Sequence, residues 1–322
     1  MRVALAGSGK LAAGVLESLL ESPHSVVALI QNGRRRPGRT RRFVRRLFGG
    51  FGLRIGVLGM ARENRIPVVY IDRMTPEELA SLAECRPDLI LVAGFGIIFH
   101  KPLLDLPSLG CVNCHSSLLP RHRGPNPFRA VVLSGEPESG VTFHIMGEGV
   151  DDGDIIAQYR FPVGPTDTGG SVYEKASMVA RSRVVEVLNK IEADGLQGTP
   201  QEEAQASYDA NLTDEELTIY WDRTARHIER LIRACYPFSP ARFRWRDRII
   251  HVFEADCDPA TCSAPPGTVI AVDPYVSVAT GQGVLTIIRA AGRGFVDWKW
   301  PPLLFGPKSG DVLPSPRESA PQ

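Results

Sequence analysis

Apolar residues recur along the first two hundred positions in two alternating rhythms. Val3 to Ala6 is a short β-rich run ending at Gly7-Ser8-Gly9, and from Lys10 to Glu21 the residues Leu11, Val15, Leu19 and Leu20 return at helical spacing. Ser25 to Ile30 and Pro67 to Ile71 read as strands, and Leu89 to Ala93 as a buried one. Between the last two, Thr75 opens a helix to about Glu84, with Glu78 at capping-box spacing. Gly110 to Cys114, Gly140 to Met146 and Ile155 to Arg160 continue as strands, and Gly170 to Asp194 carries a long helical pattern. Strands alternating with helices predict an α/β fold, a Rossmann-like, mostly parallel sheet with helices on both faces.

The rhythm then breaks. Between Asp194 and Leu217 the chain turns polar and aperiodic, which suits an exposed connection. Beyond it an amphipathic helix is predicted from Glu216 to Ala234. Short strands follow at Phe243 to Trp245, Ile249 to Phe253, Gly267 to Val272, Val276 to Ala279 and Val284 to Arg289. Five strands after one helix predict a small OB-like β-barrel. The Pro- and Ser-rich tail from Lys308 to Gln322 is expected to be disordered. The predicted domains are therefore 1–205, 206–307 and a tail at 308–322. At 322 residues with 43% apolar and 23% charged positions, the chain has material for two cores. No apolar run reaches about 18 residues, so no membrane span is expected. The N-terminus enters its first strand without a leader pattern, and six cysteines in such a length make no disulfide scaffold, so a cytoplasmic protein is expected.

Charge and chemistry refine this picture. Net charge is only +1, yet Arg34, Arg35, Arg36, Arg39, Arg41, Arg42, Arg45 and Arg46 crowd one stretch. They suit either contact with a phosphate-rich ligand or a solvated basic loop. Gly7-Ser8-Gly9-Lys10-Leu11-Ala12 fits a G-x-G-x-x-A turn, a tight strand-to-helix turn or an anion site. With the arginines it leaves an NADP-dependent oxidoreductase open, and the barrel with the same arginines leaves a nucleic-acid-binding module. Cys111 and Cys114 have C-x-x-C spacing, but alternation in a strand points them to opposite faces, as packed thiols rather than a metal or redox pair. Asn113 and His115, two apart, face the same side at a strand's C-terminal end, where open α/β sheets bind ligands. A side-chain amide beside an imidazole suits negative charge developing on a carbonyl oxygen while an amine loses a proton. Asp151, on a Gly-flanked loop, is placed to orient the imidazole.

Asn113-x-His115, Ser117-Leu118-Leu119-Pro120, Arg123-Gly124, Gly140-Val141-Thr142 and Asp151-x-Gly153-Asp154 together resemble the signature of the 10-formyltetrahydrofolate-dependent formyltransferases. The stretch Leu231 to Phe238, with Pro266 to Val269 and Ala279 to Gly283, resembles the C-terminal barrel of the members that act on methionyl-tRNA. The resemblance implies that Asn113 polarises the formyl oxygen, that His115 stabilises the tetrahedral intermediate, and that Asp151 orients His115 and relays protons. It implies 10-formyltetrahydrofolate as co-substrate, without metal, lying against Phe95, Gly96, Ile97 and Ile98, against Ser117, Leu118, Leu119 and Pro120, and against Gly147, Gly149, Val150 and Gly153. It implies an amine acceptor held by Gly7, Ser8 and Gly9, by Arg34, Arg36, Arg39, Arg41 and Arg42, and by Arg123. Methionyl-tRNA is the first expectation, and a small amine or nucleotide-linked amino sugar the second. Two departures concern that acceptor: Gly7-Ser8-Gly9 stands where tRNA-directed members have Gly-Thr-Pro, and Pro125-Asn126-Pro127 where they have Ala-Ala-Pro.

Overall fold

Strands that are apolar on both faces need cover on both, and the first half of the chain supplies it. The computed structural model describes residues 1–35, 56–246, 248–292, 298–299 and 307–315. Seven strands form one sheet: β1 (Arg2–Gly7), β2 (Ser25–Asn32), β3 (Val68–Ile71), β4 (Leu89–Ala93), β5 (Cys111–His115), β6 (Glu138–Ile145) and β7 (Ile155–Pro162), in the order β3-β2-β1-β4-β5-β6-β7. Pairing is parallel from β3 across to β5 and antiparallel from β5 through β7. The expected mostly parallel sheet is what forms.

Alternation assigns the two faces. Ala4 and Ala6 join Ile30, Ile71, Val92 and Cys111 in one buried cluster, covered by Leu82 of α3 (Pro76–Ala83) and Leu103 of α4 (Lys101–Leu104). Val3 and Leu5 turn the other way, toward α1 (Gly9–Leu20), whose Leu11, Val15 and Leu19 are buried. Helix α2 (Val57–Glu63) packs on α1. The Thr75 hydroxyl accepts from the Glu78 N–H and the Glu78 carboxylate accepts from the Thr75 N–H, completing the predicted capping box. Helices α2, α4 and α5 (Pro127–Ser134) were not predicted, being too short to display a period. The long pattern ends in α6 (Gly169–Asp194). Cys111 lies against the Leu103 and Leu104 carbonyls while Cys114, three residues on, is buried on the opposite face, so they are packed free thiols as expected.

The chain packs as two compact units, one of residues 1–127, 138–162 and 173–209, the other of 128–137, 163–172 and 210–322. Residues on both sides of the expected 205/206 boundary thus pack in the first unit. In the second, antiparallel strands β8 (Ala241–Trp245), β9 (Arg248–Asp258), β10 (Val269–Ala271), β11 (Val276–Ala279) and β12 (Val284–Ala291) run in the order β10-β11-β12-β9-β8, with β13 (Trp298–Lys299) beside β12. They wrap a core that Ile228, Leu231, Ile232 and Cys235 of helix α7 (Ala225–Cys235) fill from one side.

Two expectations fail here. The helix predicted from Glu216 begins at Ala225, with Thr224 as its N-cap. Leu217, Ile219 and Trp221 are buried alternately instead; the Ile219 N–H donates to the Arg242 carbonyl and the Arg242 N–H to the Leu217 carbonyl, a bridge that sets this stretch beside β8. The tail expected to be disordered from Lys308 docks through residue 315: Val312 bridges Thr268, and Leu313 is 1% exposed. Residues 316–322 lie outside the described part. Among the described residues no helix is long and apolar enough to cross a membrane.

Candidate active site

The C-terminal end of β5 and its antiparallel neighbour β6 assemble the site. Register places Asn113 opposite His144 and His115 opposite Thr142, so the four side chains share one face. A register shift between Phe143 and His144 then releases the chain into the loop that carries Asp151. Asp151 has φ +53°, in the left-handed region that Asp tolerates better than most residues. That conformation turns its carboxylate back toward β5.

The three expected groups converge. Asn113 Nδ2 donates to Asp151 Oδ1 at 3.0 Å and lies 3.2 Å from His144 Nε2. Asp151 Oδ2 accepts from the Gly124 backbone N–H at 2.9 Å and stands 3.6 Å from His115 Nδ1. His115 Nε2 is 2.8 Å from the His122 carbonyl, which can only accept, so Nε2 carries a proton and Nδ1 faces the carboxylate. The same reasoning puts a proton on His144 Nδ1, 2.9 Å from the Ile145 carbonyl, and aims its Nε2 at Asn113 and Asp151.

Burial pushes the His115 imidazole below its ordinary pKa, against the pull of Asp151, and His144 and His122 add to the lowering. Burial by itself pushes the Asp151 carboxyl up. The imidazoles of His115 and His144 and the Gly124 N–H outweigh it and hold the carboxyl well below the usual carboxylate range. At neutral pH the pair is therefore a fixed carboxylate beside a neutral imidazole, ready to stabilise a proton arriving at Nδ1. Cys114 adjoins the pair in sequence but faces away, and burial pushes its thiol far up, so it is no nucleophile here. Burial likewise pushes the Cys111 thiol up to about 12.

The expected co-substrate residues divide by exposure. Ile98 and Val150 present apolar side chains to solvent, and Gly147 and Gly149 share the exposed loop with Val150. Phe95 and Met146 pack on the same buried cluster and so bring the two loops beside β5. Phe95 and Gly96 also line a small cavity of about 50 Å³ with Ser8, Gln31, Asn32, Leu58 and Tyr70. Gly96 is exposed, Ile97 half-buried and Gly153 half-buried. A Cβ at Gly153 would sit 1.9 Å from the Ile145 carbonyl oxygen, so the residue serves close packing of the Asp151 loop. Ser117, Leu118 and Leu119 are buried, with the Ser117 hydroxyl donating to the Arg121 carbonyl, and only Pro120 reaches partial exposure. These three shape the loop from beneath.

The described ones among the expected acceptor residues are packed or paired locally. A Cβ at Gly7 would lie 2.2 Å from the Ala93 carbonyl oxygen, and the Ser8 N–H and hydroxyl are both taken by the Gly94 carbonyl. With Gly9 at φ +74° and the Leu11 N–H bonded to Tyr173 Oη, the turn is a packing device in which the Ser8 and Leu11 donors are already used. Nothing in this turn supports the oxidoreductase alternative. Arg34 pairs with Asp72 at 2.6 Å, and Arg123 pairs with Glu203 at 2.6 Å and donates to Gln201. Arg36, Arg39, Arg41 and Arg42 lie outside the described residues. His144 and Gln201 were not picked out from the sequence. His144 had a signal, standing two positions past Thr142 on the strand facing Asn113, while Gln201 stood in a stretch that carries no pattern.

Comparison with known proteins gives a consistent result. The formyl transferase family matches residues 1–188, and the formyl transferase C-terminal domain matches residues 211–299. A methionyl-tRNA formyltransferase from Marinobacter nauticus is 34% identical over 292 residues, covering 90% of this chain and 91% of that protein. Among solved structures, an N-formyltransferase from Helicobacter canadensis in complex with folinic acid and dTDP-3-aminofucose aligns with a TM-score of 0.65 at 20% identity, over 89% of this chain and 99% of that one. HypX from Aquifex aeolicus in complex with tetrahydrofolic acid aligns at 0.61 and 19%, over 94% of this chain and 46% of that one. The two structures speak to the fold.

Proposed function

The chain belongs to the formyl transferase family, and we propose that it moves a formyl group from 10-formyltetrahydrofolate to the amino group of methionyl-tRNA. The observation that carries the reading is the meeting of Asn113, His115 and Asp151, 38 residues apart at most, within 3.6 Å at each Asp151 contact. Asn113 Nδ2, on exchanging its hydrogen bond to His144 Nε2, is the donor for negative charge developing on the formyl oxygen. His115, held at Nε2 by a main-chain carbonyl, takes positive charge at Nδ1 as the attacking amine gives up its proton, and Asp151 stabilises that charge. The exposed apolar Ile98 and Val150 are the surfaces on which the pterin would rest, and the co-substrate brings the formyl carbon to which these groups are addressed.

The acceptor is argued from the relative that shares a third of its residues over nine-tenths of the chain, and whose name states methionyl-tRNA. All six cysteines are free, which suits a reducing compartment and a place in the cytoplasm. The test is incubation of the purified protein with 10-formyltetrahydrofolate and, separately, methionyl-tRNA, free methionine and a dTDP-linked amino sugar, with the product identified by mass. Formylation of methionyl-tRNA that weakens steeply with salt is expected. Formylation of the amino sugar alone would overturn the acceptor and leave the chemistry standing.

A further inference from the structure

The residues between the two family matches, 189–210, do more than connect. Thr199 exchanges two main-chain bonds with Ile155, at 2.8 and 2.9 Å, laying the segment along the strand that follows the Asp151 loop. Eight residues later Ser207 and Asp209 bond the main chain of Pro120 and Arg123. The Ser207 hydroxyl accepts from the His122 N–H, and Asp209 pairs with the His122 ring at 2.8 Å. The segment therefore clasps both loops that feed the site, the one whose His122 carbonyl holds His115 and the one that carries Asp151.

One side chain spans the clasp. Gln201 Nε2 donates to the Asp151 carbonyl at 2.8 Å and to the Gly153 carbonyl at 2.7 Å, while its Oε1 accepts from Arg123 at 2.9 and 3.2 Å. Both amide hydrogens and the carbonyl oxygen are thus used, and half-burial limits competition from water. One of the two carbonyls belongs to Asp151 itself, at φ +53°, a conformation that persists only where the surroundings impose it, and the other to Gly153 two residues on.

We propose that Gln201 is a positioning residue for catalysis: by gripping the main chain of the Asp151 turn at the Asp151 and Gly153 carbonyls and tying it to Arg123, it sets the approach of the Asp151 carboxylate to His115 and Asn113. The inference rests on the proposed function for its kinetic readout only.

The test compares Gln201→Glu with Gln201→Ala. A Glu keeps the acceptor for Arg123 but sets a carboxylate against two carbonyl oxygens, so the clasp stays closed through Arg123 while the grip on the turn is lost. Because displacements near 1 Å at a reacting centre cost about 100-fold, kcat of both variants should fall between about 10- and 100-fold, with KM for the formyl donor within about threefold. The unfolding midpoint of Gln201→Glu should fall far less than its kcat, since the Arg123 pair still holds the clasp. A kcat that falls only in step with that midpoint, or not at all, would overturn the proposal. The second readout needs no turnover: imidazole 15N NMR of His115, assigned with His115→Gln. His115 faces Asp151, His144 and His122; burial and the two neighbouring imidazoles lower its pKa, Asp151 and the His122 carbonyl raise it, so a carboxylate displaced from His115 should move its titration down in Gln201→Ala, which adds no charge. Unchanged His115 signals would likewise overturn the proposal. Wild-type protein that makes no formylated product would overturn the proposed function instead, and the NMR result would still decide on Gln201.

Discussion

Replacing Asp151 with Asn isolates the charge on which the proposed chemistry leans. The substitution keeps the shape and an oxygen able to accept from Asn113 or Gly124, and removes the anion 3.6 Å from His115 Nδ1. Both side chains are largely out of solvent, 7% and 13% exposed. At an effective dielectric of about 20, unit charges at that separation attract by about 4 to 5 kcal/mol. The Asn dipole restores part of this, leaving a loss of about 3 kcal/mol in stabilising an imidazolium, or roughly 100-fold in rate. The assay is single-turnover formyl transfer with the donor saturating, so that binding drops out. The imidazole, already held low by burial, becomes a weaker base still without its carboxylate, so raising the pH should not restore the rate. A single-turnover rate within about threefold of wild type would refute the account, because no group of that charge at that distance can be kinetically silent if positive charge builds on His115.

His144→Leu should lower kcat by about 10-fold by removing the partner of Asn113 and Asp151, checked in the same assay. Gly7→Ala should cost about 1 to 3 kcal/mol or more of stability, since its Cβ would meet the Ala93 carbonyl oxygen at 2.2 Å, and denaturant unfolding that shows no loss would contradict the packing role of the turn. Leu313→Ala should cost about 2 to 5 kcal/mol, a loss that an undocked tail could not produce. Burial holds His24, His115, His227 and His251 below the ordinary 6.5, so the unfolded chain binds more protons once the pH drops past that value. Stability present above 6.5 should therefore be lost as pH falls, with Asp151 adding a further loss below its ordinary 3.8; a thermal midpoint flat from pH 8 to 5 would refute this.

The sheet of the first unit was legible because its residues answer to one period at a time. Val3 to Ala6 and Leu89 to Ala93 are apolar on both faces, and Leu11, Val15 and Leu19 return at helical spacing. The stretch from Glu216 failed because two periods meet there. Leu217, Ile219 and Trp221 alternate as an edge strand, and the chain passes within a few residues to Ile228 and Leu231 of α7, so the junction imitates one long amphipathic helix. The tail failed for another reason: its composition is that of a disordered segment, and the contact that orders it is one leucine and a main-chain bridge to Thr268. Composition averages such a contact away.

At the site, the reacting side chains were legible and their supports were not. Asn113, His115 and Asp151 carry chemistry in their side chains, so residue type and spacing betray them. What holds them is main chain: the His122 carbonyl on His115, the Ile145 carbonyl on His144, the Gly124 N–H on Asp151, and the Asp151 and Gly153 carbonyls under Gln201. A bond to a backbone group can be made over any residue, so it leaves no trace in the pattern of residue types. The same division bears on the acceptor. The departures from tRNA-directed members fall at Ser8 and Gly9 and at Pro125 and Asn126, whereas these anchoring bonds run through His122, Gly124, Ile145 and Gln201. The departures thus leave untouched the bonds that keep the carboxylate, imidazole and amide in register.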